Sequence, residues 1–147
     1  MLNYRMGYKL WAVYIFCHSL GEEVGSWRRH VVLLTMDGHV YQWGDLEVND
    51  TSMSREPEPL SGAIENQQIV QIACGDEHTL ALTEQGQVYS WGLNRYGQLG
   101  VGNLSSELGP VKVMGLNGFP NKIVFVASGA WTSFALDVNG SVSNYSC

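Results

Sequence analysis

Short apolar runs alternate with polar, glycine-punctuated turns along most of this chain. Ile69–Cys74 and Ile123–Ala127 are brief and rich in β-branched residues, so they read as strands. His78–Thr83 alternates weakly, and Val88–Trp91 is a further short apolar segment. A glycine turn separates those two, and its sister turns carry Asp37-Gly38 and Asn139-Gly140. Asp-Gly and Asn-Gly favour the type I′ turn, in which both central residues take positive φ. Each unit is therefore expected to be a hairpin with one strand ahead of it. Pro110–Val113 is expected as an outer strand, and Asp45–Leu60, with Glu56-Pro57-Glu58-Pro59, as a long, mobile polar connection.

The units are copies of one another. His78–Gly92 lies over His30–Gly44 at an offset of 48 without a gap, and His, Leu, Thr, Gly, Val, Tyr, Trp and Gly coincide in order. At an offset of 54, Ile69-Val70 and Ala73-Cys74-Gly75 match Ile123-Val124 and Ala127-Ser128-Gly129. Ala81-Leu82, Gly86 and Val88 then match Ala135-Leu136, Gly140 and Val142. A period of about fifty residues signals a solenoid or propeller. Small antiparallel sheets stack radially as blades because one sheet cannot bury both its faces. The expected fold is all-β, a partial β-propeller of two to three four-stranded antiparallel blades. Units are expected at 24–68, 69–122 and, incomplete, 123–147, with 1–23 unassigned.

The second unit carries a specific pattern: Gly75-x-x-His78, Leu82, Gly86-x-Val88-Tyr89-x-Trp91-Gly92-x-Asn94-x-x-Gly97-Gln98-Leu99-Gly100. It closely resembles the repeat of the regulator of chromosome condensation family. The first unit keeps Gly38, Trp43 and Gly44 but has Asp45-Leu46-Glu47-Val48 in place of the Gly-Gln-Leu-Gly segment. The third has Thr132 in place of the histidine and Tyr145-Ser146 in place of Trp-Gly. The resemblance implies a seven-bladed propeller, which needs about 350 residues at about fifty per blade. A chain of 147 residues is thus expected to be a fragment, a truncated gene model or a short splice product.

Composition agrees with strands and turns. Charged residues are only 15%, while glycine occupies 17 positions and tryptophan 5. Helical bundles lean on Ala, Glu, Lys and Leu instead. The net charge is −6, and residues 31–107 hold eleven carboxylates against Arg55 and Arg95 alone. Phosphate binding needs clustered Lys and Arg, so direct nucleic-acid binding is not expected. Leu10–Phe16, the longest apolar run, is far short of a membrane span, and no small-x-small cleavage site follows it. Three cysteines, Cys17, Cys74 and Cys147, cannot all pair and share no metal-ligand spacing. Reduced thiols and an intracellular setting, cytoplasmic or nuclear, are expected. The sequons at Asn49, Asn103, Asn139 and Asn144 carry meaning only on a secretory route.

No catalytic signature is present: no Lys-Ser/Thr phosphate loop, no Gly-x-Ser-x-Gly elbow and no His-Glu-x-x-His. The chain is not expected to be an enzyme, and no cofactor or metal is implied. His78 and His30 hold equivalent places, which favours a structural role over a base or metal ligand. Gly75, Gly86, Trp91, Gly92, Gly97, Leu99 and Gly100 are likewise read as repeat structure, with Trp43 and Trp91 in the core. The candidate partner-binding residues are Asp76 and Glu77, in one inter-strand loop, and Asn94, Arg95 and Tyr96 in another. A propeller piece that binds a protein through one loop face is the leading expectation. Family resemblance adds guanine-nucleotide exchange on a Ran-type small GTPase as an alternative. A second alternative is ultraviolet sensing: Trp27 and Trp131 each follow a Gly-x pair, similar to plant ultraviolet-B receptors of the family, and Arg28 and Arg29 stand beside Trp27 for cation–π contact.

Overall fold

The computed structural model describes residues 12–15, 30–44, 54–114 and 122–145. Every regular element among them is a strand. β1 (Ala12–Ile15), β2 (His30–Thr35), β3 (Val40–Gly44) and β4 (Ser54–Pro59) form a first sheet in that order. β5 (Ile69–Cys74), β6 (His78–Thr83), β7 (Val88–Gly92) and β8 (Glu107–Lys112) form a second sheet. β9 (Ile123–Ser128), β10 (Ser133–Asp137) and β11 (Val142–Tyr145) form a three-stranded third. All neighbouring strands pair antiparallel.

Two strands fall where the sequence reading placed none. Residues 1–23, left unassigned, contain β1, whose Ala12–Ile15 pairs with Thr35–Val32 of β2. A four-residue apolar strand is too short to carry a recognisable repeat signature, so only its pairing reveals it. Asp45–Leu60, expected as a connection, contains β4: Tyr41 pairs with Pro59 and Gln42 with Glu58. Its prolines suit an outermost strand, where one side of the backbone needs no ladder partner. Residues 45–53 lie outside the described residues.

The hairpin turns also differ. Among the described residues only glycines take positive φ, and in the three hairpins these are Gly38 at 82°, Gly86 at 84° and Gly140 at 85°. Asp37 and Asn139 therefore do not form type I′ turns. Gly38 N–H donates to Thr35 O at 3.0 Å, and Thr35 N–H donates to His39 O at 2.9 Å. This is a three-residue loop with its last residue left-handed. A side-chain oxygen seals each copy. The hydroxyls of Thr35 and Thr83 accept from His39 and Gln87 N–H at 3.0 Å, and Asp137 Oδ1 accepts from Ser141 N–H at 2.8 Å.

Two apolar layers join the sheets. Val32, Leu34, Val40 and Ile64 pack on Ile69, Ile72, Ala81, Tyr89 and Trp91 between first and second. Leu80, Leu82 and Val88 pack on Ile123, Val126, Ala135 and Tyr145 between second and third. Complete burial of one such Leu or Val contributes about 1.5–3 kcal/mol. These layers outweigh any single inter-sheet hydrogen bond, each worth about 0.5–1.5 kcal/mol. Trp43, expected in the core like Trp91, is only half-buried, because among the described residues no sheet covers its side of β3. Cys74 is half-buried at the end of β5. Cys17 and Cys147 lie outside the described residues.

Candidate functional site

Three loops gather at one end of the second and third sheets. They are 75–77 between β5 and β6, 93–106 between β7 and β8, and 129–132 between β9 and β10. Backbone bonds tie them together: Asp76 N–H donates to Ala130 O at 3.1 Å, and Leu93 N–H donates to Glu77 O at 2.8 Å. Gly92 makes the second approach possible. Its φ is 112°, and a Cβ there would run into the Glu77 carbonyl and lie 2.8 Å from His78 Cα.

Beneath the loops lies a buried polar layer. His78 is buried at the start of β6, and its Nε2 stands 2.8 Å from both Ser133 Oγ and Ser128 Oγ. Ser133 donates its own hydroxyl proton to Gln98 O at 2.7 Å. The serine oxygen must then accept from the ring, which assigns the proton to Nε2. His78 is thus a clasp between two sheets, inaccessible to any substrate. No group of three or more His, Cys, Asp or Glu suited to a metal ion occurs among the described residues.

Asn94, expected on the surface, is wholly buried. Its Nδ2 donates to Asn103 O at 2.7 Å and Ser105 O at 3.0 Å, while its Oδ1 accepts from Leu99 N–H at 2.9 Å. Three polar bonds from one side chain close the loop on itself, so Asn94 positions rather than contacts. Gln98 is also buried, and its Oε1 accepts from Tyr96 N–H at 2.9 Å. Leu99, fully buried, anchors the turn from below, where Ser90 Oγ donates to its carbonyl at 2.7 Å.

What this layer holds up is aromatic. Tyr96 and Trp131, from different loops and different sheets, stack with ring centroids 5.6 Å apart and planes tilted by 41°. They remain 50% and 53% exposed. Arg95 is exposed beside Tyr96, and Asp76 and Glu77 are half-exposed in the adjoining loop. Of the five candidate residues, four share this rim and Asn94 lies under it. Trp131, weighed only for light absorption, joins the same rim, and its Gly-x-Trp placement next to a loop was the available signal. Trp27, Arg28 and Arg29 lie outside the described residues. Trp91 is buried in the first apolar layer with its Nε1 donating to Gln42 Oε1 at 3.2 Å, away from the rim pair.

Antiparallel sheets stacked face to face, with loops collected at one end, define a repeat protein of β-propeller type. The described residues contain no helix long and apolar enough to cross a membrane. The regulator of chromosome condensation (RCC1) repeat pattern matches residues 37–82 and 85–136, and a second form of it matches 69–98. The chain belongs to the RCC1 repeat family. Protein RCC2 of Homo sapiens is 35% identical over 154 residues, covering 97% of this chain and 29% of that protein. The ultraviolet-B receptor UVR8 of Arabidopsis thaliana is 36% identical over 121 residues, 79% of this chain and 27% of that protein. The crystal structure of human WBSCR16 superposes with a TM-score of 0.66 at 26% identity, over 80% of this chain and 31% of that one. The chain spans less than a third of each of these relatives.

Proposed function

We propose that this chain is a protein-interaction scaffold whose contact surface is the rim of Asp76, Glu77, Arg95, Tyr96 and Trp131. One observation carries the reading: the exposed Tyr96–Trp131 pair, supported from beneath by buried Asn94, Gln98 and His78. Ordering two half-exposed aromatics on a rigid base lowers the conformational entropy lost on binding, and Tyr, Trp and Arg dominate interface energetics. A mixed-charge border of Asp76, Glu77 and Arg95 suits a polar protein surface around an aromatic anchor. The test is quantitative co-precipitation from cell extract with the wild-type chain and a Tyr96→Ala/Trp131→Ala double variant, using Leu104→Ser as control. Partners lost from the double variant and kept by the control support the reading. An identical partner set for all three overturns it.

Guanine-nucleotide exchange on a Ran-type small GTPase is the finer alternative. It requires tighter binding of the nucleotide-free GTPase, a difference in affinity that needs no catalytic triad. Unchanged nucleotide release across a panel of small GTPases would remove it. Ultraviolet sensing gains support from the likeness to UVR8 and from exposed Trp131, and loses it if irradiation leaves oligomer size unchanged. Intracellular residence, cytoplasmic or nuclear, is part of the proposal. Disulfides are rare in reducing compartments, so a reduced Cys74 would support it. Trapping Cys74 in its cellular redox state by alkylation decides the point.

A further inference from the structure

At the end of the sheets opposite the loop rim, the β2–β3 and β6–β7 hairpin turns meet the connection from β4 to β5. That connection is firmly held. Glu65 N–H donates to Gly62 O at 3.1 Å and Gln67 N–H to Ile64 O at 3.0 Å, which folds residues 60–68 into successive turns. Both ends are pinned. Leu60 N–H donates to Val40 O at 2.8 Å, and Gln68 O accepts from Glu84 N–H at 2.9 Å. The Gln68 side chain also lies so close to Gly38 that a Cβ there would stand 2.2 Å from its Nε2.

Between the first hairpin and this connection runs a groove of about 140 Å³, walled by residues 38–40, 59–61 and 64–67. Val40 and Ile64, each 4% exposed, and half-buried Leu60 make it aliphatic inside. These three belong to the apolar layer between the first and second sheets, so the groove is backed by packing that needs no ligand. A space of about 150 Å³ holds a group the size of benzene, and this one therefore takes a single branched apolar side chain. The border is polar and acidic. His39, Ser61 and Glu65 are exposed along it, and Asp37 stands 3.3 Å from His39 Nδ1. Glu84 is exposed in the second hairpin turn at the Gln68 end. No Lys or Arg occurs among the lining residues or in the turns 36–39 and 84–87, and Lys122 lies over Gly86 toward the third sheet. An apolar slot bordered by carboxylates is complementary to a chain segment with positive charges around an apolar centre.

We propose that this groove docks a basic segment of a partner protein, with one leucine-like side chain on Val40, Leu60 and Ile64 and flanking Lys or Arg facing Glu65 and Asp37. The apolar side chain supplies affinity, because its burial removes apolar surface from water. The carboxylates select the segment and set its register. Exposed carboxylates alone would hold any polycation weakly and release it in salt. The slot makes the contact depend on the central residue instead. It lies at the far end of the sheets from Tyr96 and Trp131, so the two surfaces are tested separately.

Fluorescence anisotropy of labelled peptides on the whole 147-residue chain is the test. The probe is Lys-Lys-Leu-Lys-Lys, with Lys-Lys-Ser-Lys-Lys and Glu-Glu-Leu-Glu-Glu for comparison. The leucine probe is expected to saturate below about 1 mM chain. The serine probe should bind about ten- to a hundredfold more weakly, the factor for one buried leucine, and the acidic probe not at all. Ser61→Phe fills the groove from its border and Glu65→Lys reverses its charge. Each is expected to weaken the leucine probe at least about tenfold. Circular dichroism confirms that both variants are folded, and Gln67→Phe replaces Ser61→Phe if the latter is not. Equal binding of the leucine and serine probes, no saturation by about 1 mM, or unchanged binding by either variant overturns the proposal. So does a loss confined to Tyr96→Ala/Trp131→Ala, which would put the peptide on the rim.

Discussion

His78 Nε2 and Ser133 Oγ, 55 residues apart in sequence, meet at 2.8 Å and lock the second sheet to the third. Because Ser133 passes its proton to Gln98 O, the pair also ties the 93–106 loop to both sheets. Ser133→Ala takes the hydroxyl donor from the Gln98 carbonyl and leaves the buried ring Nε2 with Ser128 Oγ alone. A loss of about 1–3 kcal/mol is expected, the cost of stranding buried polar groups. Urea denaturation of the variant measures it, and a change below about 0.5 kcal/mol would contradict a clasp.

Two glycines with similar backbone angles should respond differently to alanine. Gly92, at φ 112°, has no room for a Cβ against Glu77 and His78, whereas Gly102, at φ 82°, has nothing within 4 Å. Gly102→Ala is expected to cost about 1–2 kcal/mol, the strain of a left-handed alanine alone. Gly92→Ala adds a backbone collision and should cost more, and should loosen the rim with it. Thermal melts of the two variants give the comparison, and equal costs would contradict the close approach.

Tyr145 fills the place of Trp91 in the third sheet, but its buried hydroxyl has no hydrogen-bond partner among the described residues. Burial raises the phenol well above its ordinary range. The folded chain therefore keeps this proton where the unfolded chain loses it, and stability falls as pH rises past about 10. Tyr145→Phe is expected to be neutral or slightly stabilising at pH 7 and to reduce the alkaline loss. Denaturant midpoints at pH 7 and above pH 10 check both parts.

Asp37 behaves in the opposite sense. The Thr35 hydroxyl, and after it the His39 ring, lower its carboxyl below the ordinary value. A lowered folded value contributes stability above the usual carboxylate range and loses it as pH falls through that value. Asp37→Asn is expected to flatten this acid-side slope, with the equivalent Gln85 turn of the second sheet unaffected. An unchanged slope in denaturant titrations below pH 5 would count against it.

Rim substitutions should separate binding from folding. Trp131→Ala and Arg95→Ala remove exposed side chains with the polar layer beneath intact, so stability should stay within about 0.5–1 kcal/mol of wild type. Asn94→Ala removes three loop-closing bonds and should cost about 2 kcal/mol or more. Parallel urea curves for the three variants test the division. A Trp131→Ala loss as large as that of Asn94→Ala would place the aromatic pair in the structure rather than on its surface.

The hairpin glycines and the offsets of 48 and 54 were legible because repeated local geometry demands the same residue at the same step. Gly38, Gly86 and Gly140 all take left-handed φ, and no other residue type does so among the described residues. The turn type was misread, since Asp-Gly occurs both in I′ turns and at the end of three-residue loops. β1 and β4 were missed for another reason: Ala12–Ile15 is too short, and Ser54–Pro59 too polar, to carry a period.

Local chemistry in the chain by itself determined the hairpins, the strands other than β1 and β4, and the family, because backbone conformation and turn residues act over a few positions. Tertiary structure alone decided which side chains are surface. It buried Asn94 and exposed Trp131, although both stand next to glycine-rich turns. It brought Tyr96 to Trp131, 35 positions away, and left Phe134 uncovered where Leu80 is covered. Burial depends on which sheet stands in front of a residue, and that neighbour comes from another repeat.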